Sequence, residues 1–149
     1  LAEDINFRHT MQVQIRFSDV DQFCHMNYSV YFSLYDLAKT TYIKDVLGSA
    51  DWSKLAIVVA NINANFFIPV FFSDHLVIET AVVHLGHKSF TLLQRAVTTD
   101  THEVKCECRT VMVGYDLATK EPKLISEDYK EAICRYEEKT LEELSKERK

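Results

Sequence analysis

The chain has 149 residues, 47% of them hydrophobic, with 22 acidic against 17 basic side chains and a formal charge of −5. That length suits a single globular domain able to bury roughly two-thirds of its unfolded surface, and the acidic balance argues against a nucleic-acid partner, because neutralising phosphates requires a basic face. No run of about 18 apolar residues is present to span a bilayer, and the opening Leu1-Ala2-Glu3-Asp4 lacks the basic-then-apolar plan of a signal peptide, so the expectation is a cytoplasmic chain without a membrane partner.

The first predicted element is a strand from His9 to Phe17, where Gln12, Gln14 and Arg16 alternate with Val13, Ile15 and Phe17. A polar turn follows, Asp19-Val20-Asp21-Gln22-Phe23-Cys24-His25-Met26-Asn27-Tyr28. Then the apolar period lengthens to three- and four-residue steps at Val30, Tyr31, Leu34, Leu37, Ala38 and Tyr42, which predicts a helix to about Leu47 closed by Gly48. Phe32 and Tyr35 add apolar surface on other sides, so this helix is expected to be enclosed.

The turn before that helix concentrates a carboxylate, an imidazole and an amide. A helix N-terminus leaves backbone N–H groups without internal partners and carries partial positive charge, so an oxygen that becomes negative during a reaction is stabilised there. Asp21, just upstream, is placed to supply a base or a nucleophile; its structural reading is a turn residue bonding nearby amides. Asp19 reads as structural or solvent-facing. His25 either positions substrate or scaffolds the turn, Asn27 either caps the helix or contacts substrate, and Tyr31 reads as core. Cys24 adjoins His25, but sequence neighbours rarely meet in the geometry of a Cys-His pair, which disfavours a thiol nucleophile.

After a polar connection at 48–53, Leu55 to Phe67 reads as a strand carrying Asn61, Asn63 and Asn65 on one face, a row that either lines a cavity or meets solvent. Pro69 removes a ladder donor, so the strand must bend, end or run along an edge there. Leu76–Leu85 and Phe90–Thr98 are two further strands around the tight connection Gly86-His87-Lys88-Ser89, which predicts an antiparallel hairpin. Lys88 and Ser89 either grip a phosphate or form a solvated turn. Phe66, Phe67, Phe71 and Phe72 either line a tunnel or fill an interface.

Val104 to Tyr115 alternates cleanly and directs Cys106 and Cys108 inward, as small hydrophobes rather than ligands. The four cysteines have no metal-binding spacing and read as reduced thiols, and no metal or cofactor is expected. Residues 117–123 read as a loop. Ser126, with Glu127 and Asp128 in the first turn, opens a final helix to about Leu144. The pattern predicts an α+β domain in which four consecutive antiparallel neighbours and the first strand curve around one central helix, with free edges that favour self-association.

The order of elements, with Asp21-x-x-x-His25-x-Asn27-x-x-x-Tyr31 at the strand-to-helix turn, resembles the hotdog-fold acyl-CoA thioesterases of the hydroxybenzoyl-CoA thioesterase superfamily. Val58-Val59-Ala60-Asn61-Ile62-Asn63, Pro69, Ser73-Asp74 and Lys88-Ser89 look like the bacterial long-chain acyl-CoA thioesterase branch. Many relatives have Gly before the His, where this chain has Cys24. The resemblance implies a five-stranded antiparallel sheet wrapped around a long central helix with a C-terminal helix, and hydrolysis of an acyl-CoA thioester. It implies Asp21 as general base or nucleophile, the Tyr28 backbone N–H as the group polarising the carbonyl, and assembly as a homodimer or tetramer. His25 joins them as a catalytic candidate, and Asn27, Asn61, Asn63, Lys88 and Ser89 as candidate substrate contacts. CoA enters as part of the substrate. Two alternatives share the fold: an enoyl-thioester hydratase or dehydratase, whose Asp-x-Asn-Pro-x-His arrangement is not found here, and a non-catalytic acyl-thioester-binding module.

Overall fold

A computed structural model describes residues 5–48 and 56–146. The elements are β1 (His9–Val13), a single 3-10 turn (Phe17–Asp19), α1 (Tyr28–Leu47), β2 (Ile57–Phe66), β3 (Leu76–Leu85), β4 (Ser89–Thr98), β5 (Val104–Asp116), β6 (Glu121–Pro122), α2 (Glu127–Glu137) and α3 (Leu141–Ser145). The sheet runs β1-β3-β4-β5-β2, with β6 on β5, and β1 pairs antiparallel with β3 from His9↔Thr80 to Val13↔Leu76. The chain thus adopts the expected α+β architecture of an antiparallel sheet with a long helix. No helix among the described residues is long and apolar enough to cross a membrane.

Contacts divide the chain into two compact units, residues 5–42, 64–81 and 94–108 in one and residues 43–48, 56–63, 82–93 and 109–146 in the other. In the first, Tyr31, Tyr35 and Ala38 recur at helical spacing and pack with Val70, Leu76, Ile78, Ala96, Cys106 and Cys108 into one buried cluster. Each fully buried Leu or Ile there contributes about 1.5–3 kcal/mol. The amide of Gln94, buried among them, donates to the Tyr35 carbonyl at 2.9 Å and to Thr80 Oγ1 at 3.1 Å, so its polar end is satisfied.

The second unit buries Val82, Val83, Leu85, Phe90, Leu92, Leu93, Met112, Ile125, Ile133 and Leu144. Gly86 N–H donates to the Ser89 carbonyl at 2.8 Å and closes the hairpin. Gly114 N–H donates to Lys88 O, and Lys123 N–H donates to Gly114 O, each at 2.8 Å. A Cβ at Gly114 would collide with the Lys123 carbonyl oxygen, which is why glycine stands there. Ser126 caps α2 by accepting from Tyr129 N–H at 3.3 Å.

Several boundaries differ from expectation for local reasons. β1 stops at Val13 instead of Phe17 because Asp19 captures the Arg16 amide at 2.8 Å and winds the chain into a 3-10 turn. β2 lies beyond β5, not beside β3, and Phe67 and Ile68 N–H both donate to the Lys105 carbonyl of β5. The loop at 117–123 contains β6. The last helix is two, since Glu138 turns left-handed at φ 55° and Thr140 with Glu143 forms a capping box that starts α3. Nor is α1 enclosed all round: Phe32 is 38% and Leu37 54% exposed. Gly48 does close α1, at φ 65°. Residues 49–53 of the polar connection, and Leu55, lie outside the described residues.

Candidate active site

The turn between the 3-10 segment and α1 is tied down almost entirely by backbone. Asp21 N–H donates to His25 O, Cys24 N–H to Asp21 O and Asn27 N–H to Asp19 O, each at 2.9 Å. Asp21 Oδ1 accepts from the amides of Phe23 at 2.8 Å and His25 at 3.1 Å. The turn-forming role weighed for Asp21 is therefore real, but it uses one oxygen. Oδ2 has no hydrogen-bond partner among the described residues.

Asp19 is structural. It is 4% exposed, and Arg16 Nη2 reaches its Oδ1 at 2.8 Å. The guanidinium hydrogen bonds hold its carboxyl below the ordinary carboxylate value. Cys24 sits at φ 63°, the left-handed conformation in which glycine is favoured. The turn thus keeps the backbone path that a glycine would give, with an exposed thiol at its tip.

A cleft of ≈ 240 Å³ opens here, lined by Asp21, His25, Met26, Asn27, Tyr28, Tyr31, Phe66, Ile68 and Pro69. Four of the eight sequence-derived site residues, Asp21, His25, Asn27 and Tyr28, therefore meet in one place. Tyr28 begins α1, and its N–H has no acceptor four residues back within the helix. Of the amides around it, Asn27 N–H is spent on Asp19 O and Val30 N–H on Asn27 O at 3.0 Å. The Asn27 side chain has no hydrogen-bond partner among the described residues, and its backbone carbonyl is what accepts from the first turn, while the residue lines the cleft.

The cleft floor is aromatic. Phe66 meets the rings of Tyr28 at 4.8 Å, Tyr31 at 5.1 Å and Phe32 at 6.4 Å. Tyr31 is buried, and burial pushes its hydroxyl up to about 12 although the Val70 backbone hydrogen-bonds it, so it stays neutral. His25 stands edge-to-face with Phe71 at 5.1 Å and 83°. Its ring nitrogens have no hydrogen-bond partner among the described residues; its backbone, not its imidazole, scaffolds the turn.

Asn61, Asn63, Lys88 and Ser89 belong to the second unit and do not line this cleft. Both faces of β2 are exposed around Asn61 and Asn63, and Lys88 is an exposed turn residue. Sequence reasoning passed over Met26 and Ile68 as lining residues. It marked Phe66 and Pro69 only for other reasons, a tunnel or interface and a strand end. The signal for this wall was the Phe66–Pro69 run itself, in which β2 stops and turns apolar side chains toward α1.

An acidic oxygen and an unspent helix amide on one apolar-floored cleft can polarise a carbonyl and attack it or deliver water to it. Residues 15–133 match the sequence model described as Thioesterase-like superfamily. No curated protein matches the chain significantly. Among solved structures, a thioesterase from Thermus thermophilus complexed with coenzyme A and zinc is 25% identical with a TM-score of 0.80, over 91% of this chain and 98% of that one. A probable thioesterase from Escherichia coli is 25% identical with a TM-score of 0.72, over 93% and 100%. The 4-hydroxybenzoyl CoA thioesterase from a Pseudomonas species shares the fold, with 23% identity and a TM-score of 0.72 over 83% and 96%.

Proposed function

Because the chain belongs to the thioesterase-like superfamily, we propose that its cleft at the start of α1 hydrolyses an acyl-CoA thioester to the free acid and CoA. One observation carries this reading: Asp21, whose Oδ1 is fixed by two amides and whose Oδ2 has no hydrogen-bond partner among the described residues, and Tyr28, whose N–H heads α1 without an intrahelical acceptor, line the same ≈ 240 Å³ cleft. The thioester carbonyl oxygen accepts from Tyr28 N–H, where the helix end stabilises the tetrahedral oxyanion by roughly 3 kcal/mol. Asp21 Oδ2 then acts as the base that deprotonates an attacking water, or attacks the carbonyl itself to give a mixed anhydride that water opens. Asn27 and His25 border the same carbonyl, and the Phe66 floor receives the acyl group.

The complexes with CoA among the structural relatives support acyl-CoA as the substrate. The reading extends to self-association as a homodimer or tetramer in the cytoplasm. Self-association is supported by the end-strand position of β2, which leaves Val58, Val59 and Ile62 40%, 43% and 46% exposed.

Thiol release from short, long and aromatic acyl-CoAs tests the function, with an enoyl-CoA as control. Thiol release from at least one acyl-CoA is expected. Conversion of the enoyl-CoA to a hydroxyacyl-CoA without thiol release would instead mean a hydratase, and binding without turnover a non-catalytic module. A single turnover in water labelled with heavy oxygen tests the nucleophilic role of Asp21, since a mixed anhydride that water opens at the Asp21 carboxyl carbon leaves label in the Asp21 peptide and direct attack by water on the thioester does not.

A further inference from the structure

The turn that carries Asp21 and His25 leans on the strip Val70–Asp74. Met26 N–H donates to Val70 O at 2.7 Å, Phe72 N–H donates to Cys24 O at 3.3 Å, and His25 and Phe71 form an isolated antiparallel bridge. The strip is held in turn by Asp74, whose Oδ2 accepts from Phe71 N–H at 2.8 Å. Behind it stands Lys105, 4% exposed on β5. Its ammonium lies 2.8 Å from Glu103 Oε1, 3.5 Å from Asp74 Oδ2 and 5.5 Å from the centre of the Phe71 ring. Its carbonyl accepts from Phe67 and Ile68 N–H at 2.9 and 3.2 Å. One residue therefore braces both the backbone that carries Ile68 to the cleft wall and the strip beneath the turn.

A buried lysine is costly unless its partners are well placed, so its position is informative. Two carboxylates satisfy its charge, and the face of Phe71 supplies a cation–π contact. The Phe71 ring in turn meets His25 at 5.1 Å, the nearest aromatic contact the imidazole makes. The imidazole has no hydrogen bond among the described residues, and its ring contacts there are those with Phe71 and, more distantly, Phe23 at 6.3 Å.

We propose that Lys105 is a positioning residue for the active site: its ammonium, set against Asp74 and over Phe71, fixes the ring that aims the His25 imidazole into the cleft. The proposal rests on the reading of that cleft as the hydrolytic site. Lys105→Met removes the charge and keeps the stem. Phe71→Leu removes the ring at a side chain that is already 39% exposed, so it tests the same link where the fold is under less threat.

Both variants are expected to lower kcat about tenfold with KM for acyl-CoA within about twofold, because orientation is lost and not binding. Combined with His25→Ala, either should cause no further loss beyond His25→Ala alone. The His25 ring-proton NMR signal, displaced by the Phe71 ring current, should shift in both. Unchanged kcat in Phe71→Leu, losses that multiply with His25→Ala, or an unmoved His25 signal would each overturn the assignment. A parent protein that releases no thiol from any acyl-CoA would defeat the hydrolytic reading instead, and the NMR shift would still decide the positioning link.

Discussion

Two residues of the turn before α1 make distinct predictions. Cys24 holds φ 63° without being glycine, a conformation that costs an L-residue roughly 1–2 kcal/mol, partly offset by the extra freedom a glycine loses on folding. Cys24→Gly should therefore stabilise the protein by about 0.5–1 kcal/mol in denaturant unfolding and leave thiol release intact. Lost turnover in that variant would reinstate the thiol as a nucleophile. Asp19 sets an acid limit. Arg16 depresses its carboxyl below the ordinary 3.8, so its contribution to stability is present above that value and is lost as pH falls through the depressed one. Asp19→Asn should flatten the fall in Tm below about pH 4; an unaltered acid limb would mean that this ion pair does not couple to folding. At this scale the sequence carried the turn well, because carboxylate, imidazole and helix start lie within eight residues. It could not show that the turn engages only one Asp21 oxygen, which depends on where two amides point.

Among the elements, β5 shows how a single position governs register. Gly114 faces the Lys123 carbonyl so closely that Gly114→Ala must push the β6 segment away. The expected cost is about 1–3 kcal/mol, on the order of 3–10 °C in Tm, and a variant with an unchanged Tm would show the segment to be loosely held. The strands from β3 to β5 were legible to within a residue because their alternation and short turns are local signals. The misread boundaries were set by side chains acting at a distance of a few residues. Asp19 ends β1 by capturing Arg16, and Glu138 ends α2 in a left-handed conformation that no glycine announces. The capping box at Thr140 and Glu143 was a readable signal for α3, masked by the continuous charge pattern of that segment.

For the whole molecule, family and fold were legible because one motif binds a turn to the helix that follows it. The wall of the cleft was not, since Phe66, Ile68 and Pro69 reach it only once β2 has crossed to the far side of β5. That crossing is a non-local choice, and it also leaves β2 as an end strand with apolar side chains in solvent. Sedimentation of the purified chain should accordingly give a dimer or larger, and Ile62→Lys on β2 should shift it toward monomer; a monomeric parent would remove self-association from the account. The central claim is that Asp21 performs the chemistry while also holding the turn. Asp21→Asn keeps an Oδ1 able to accept the Phe23 and His25 amides, so it removes the charge and spares the local structure. Thiol release at saturating acyl-CoA should fall by about two to four orders of magnitude in this variant with Tm unchanged, and a fully active Asp21→Asn protein would contradict the account.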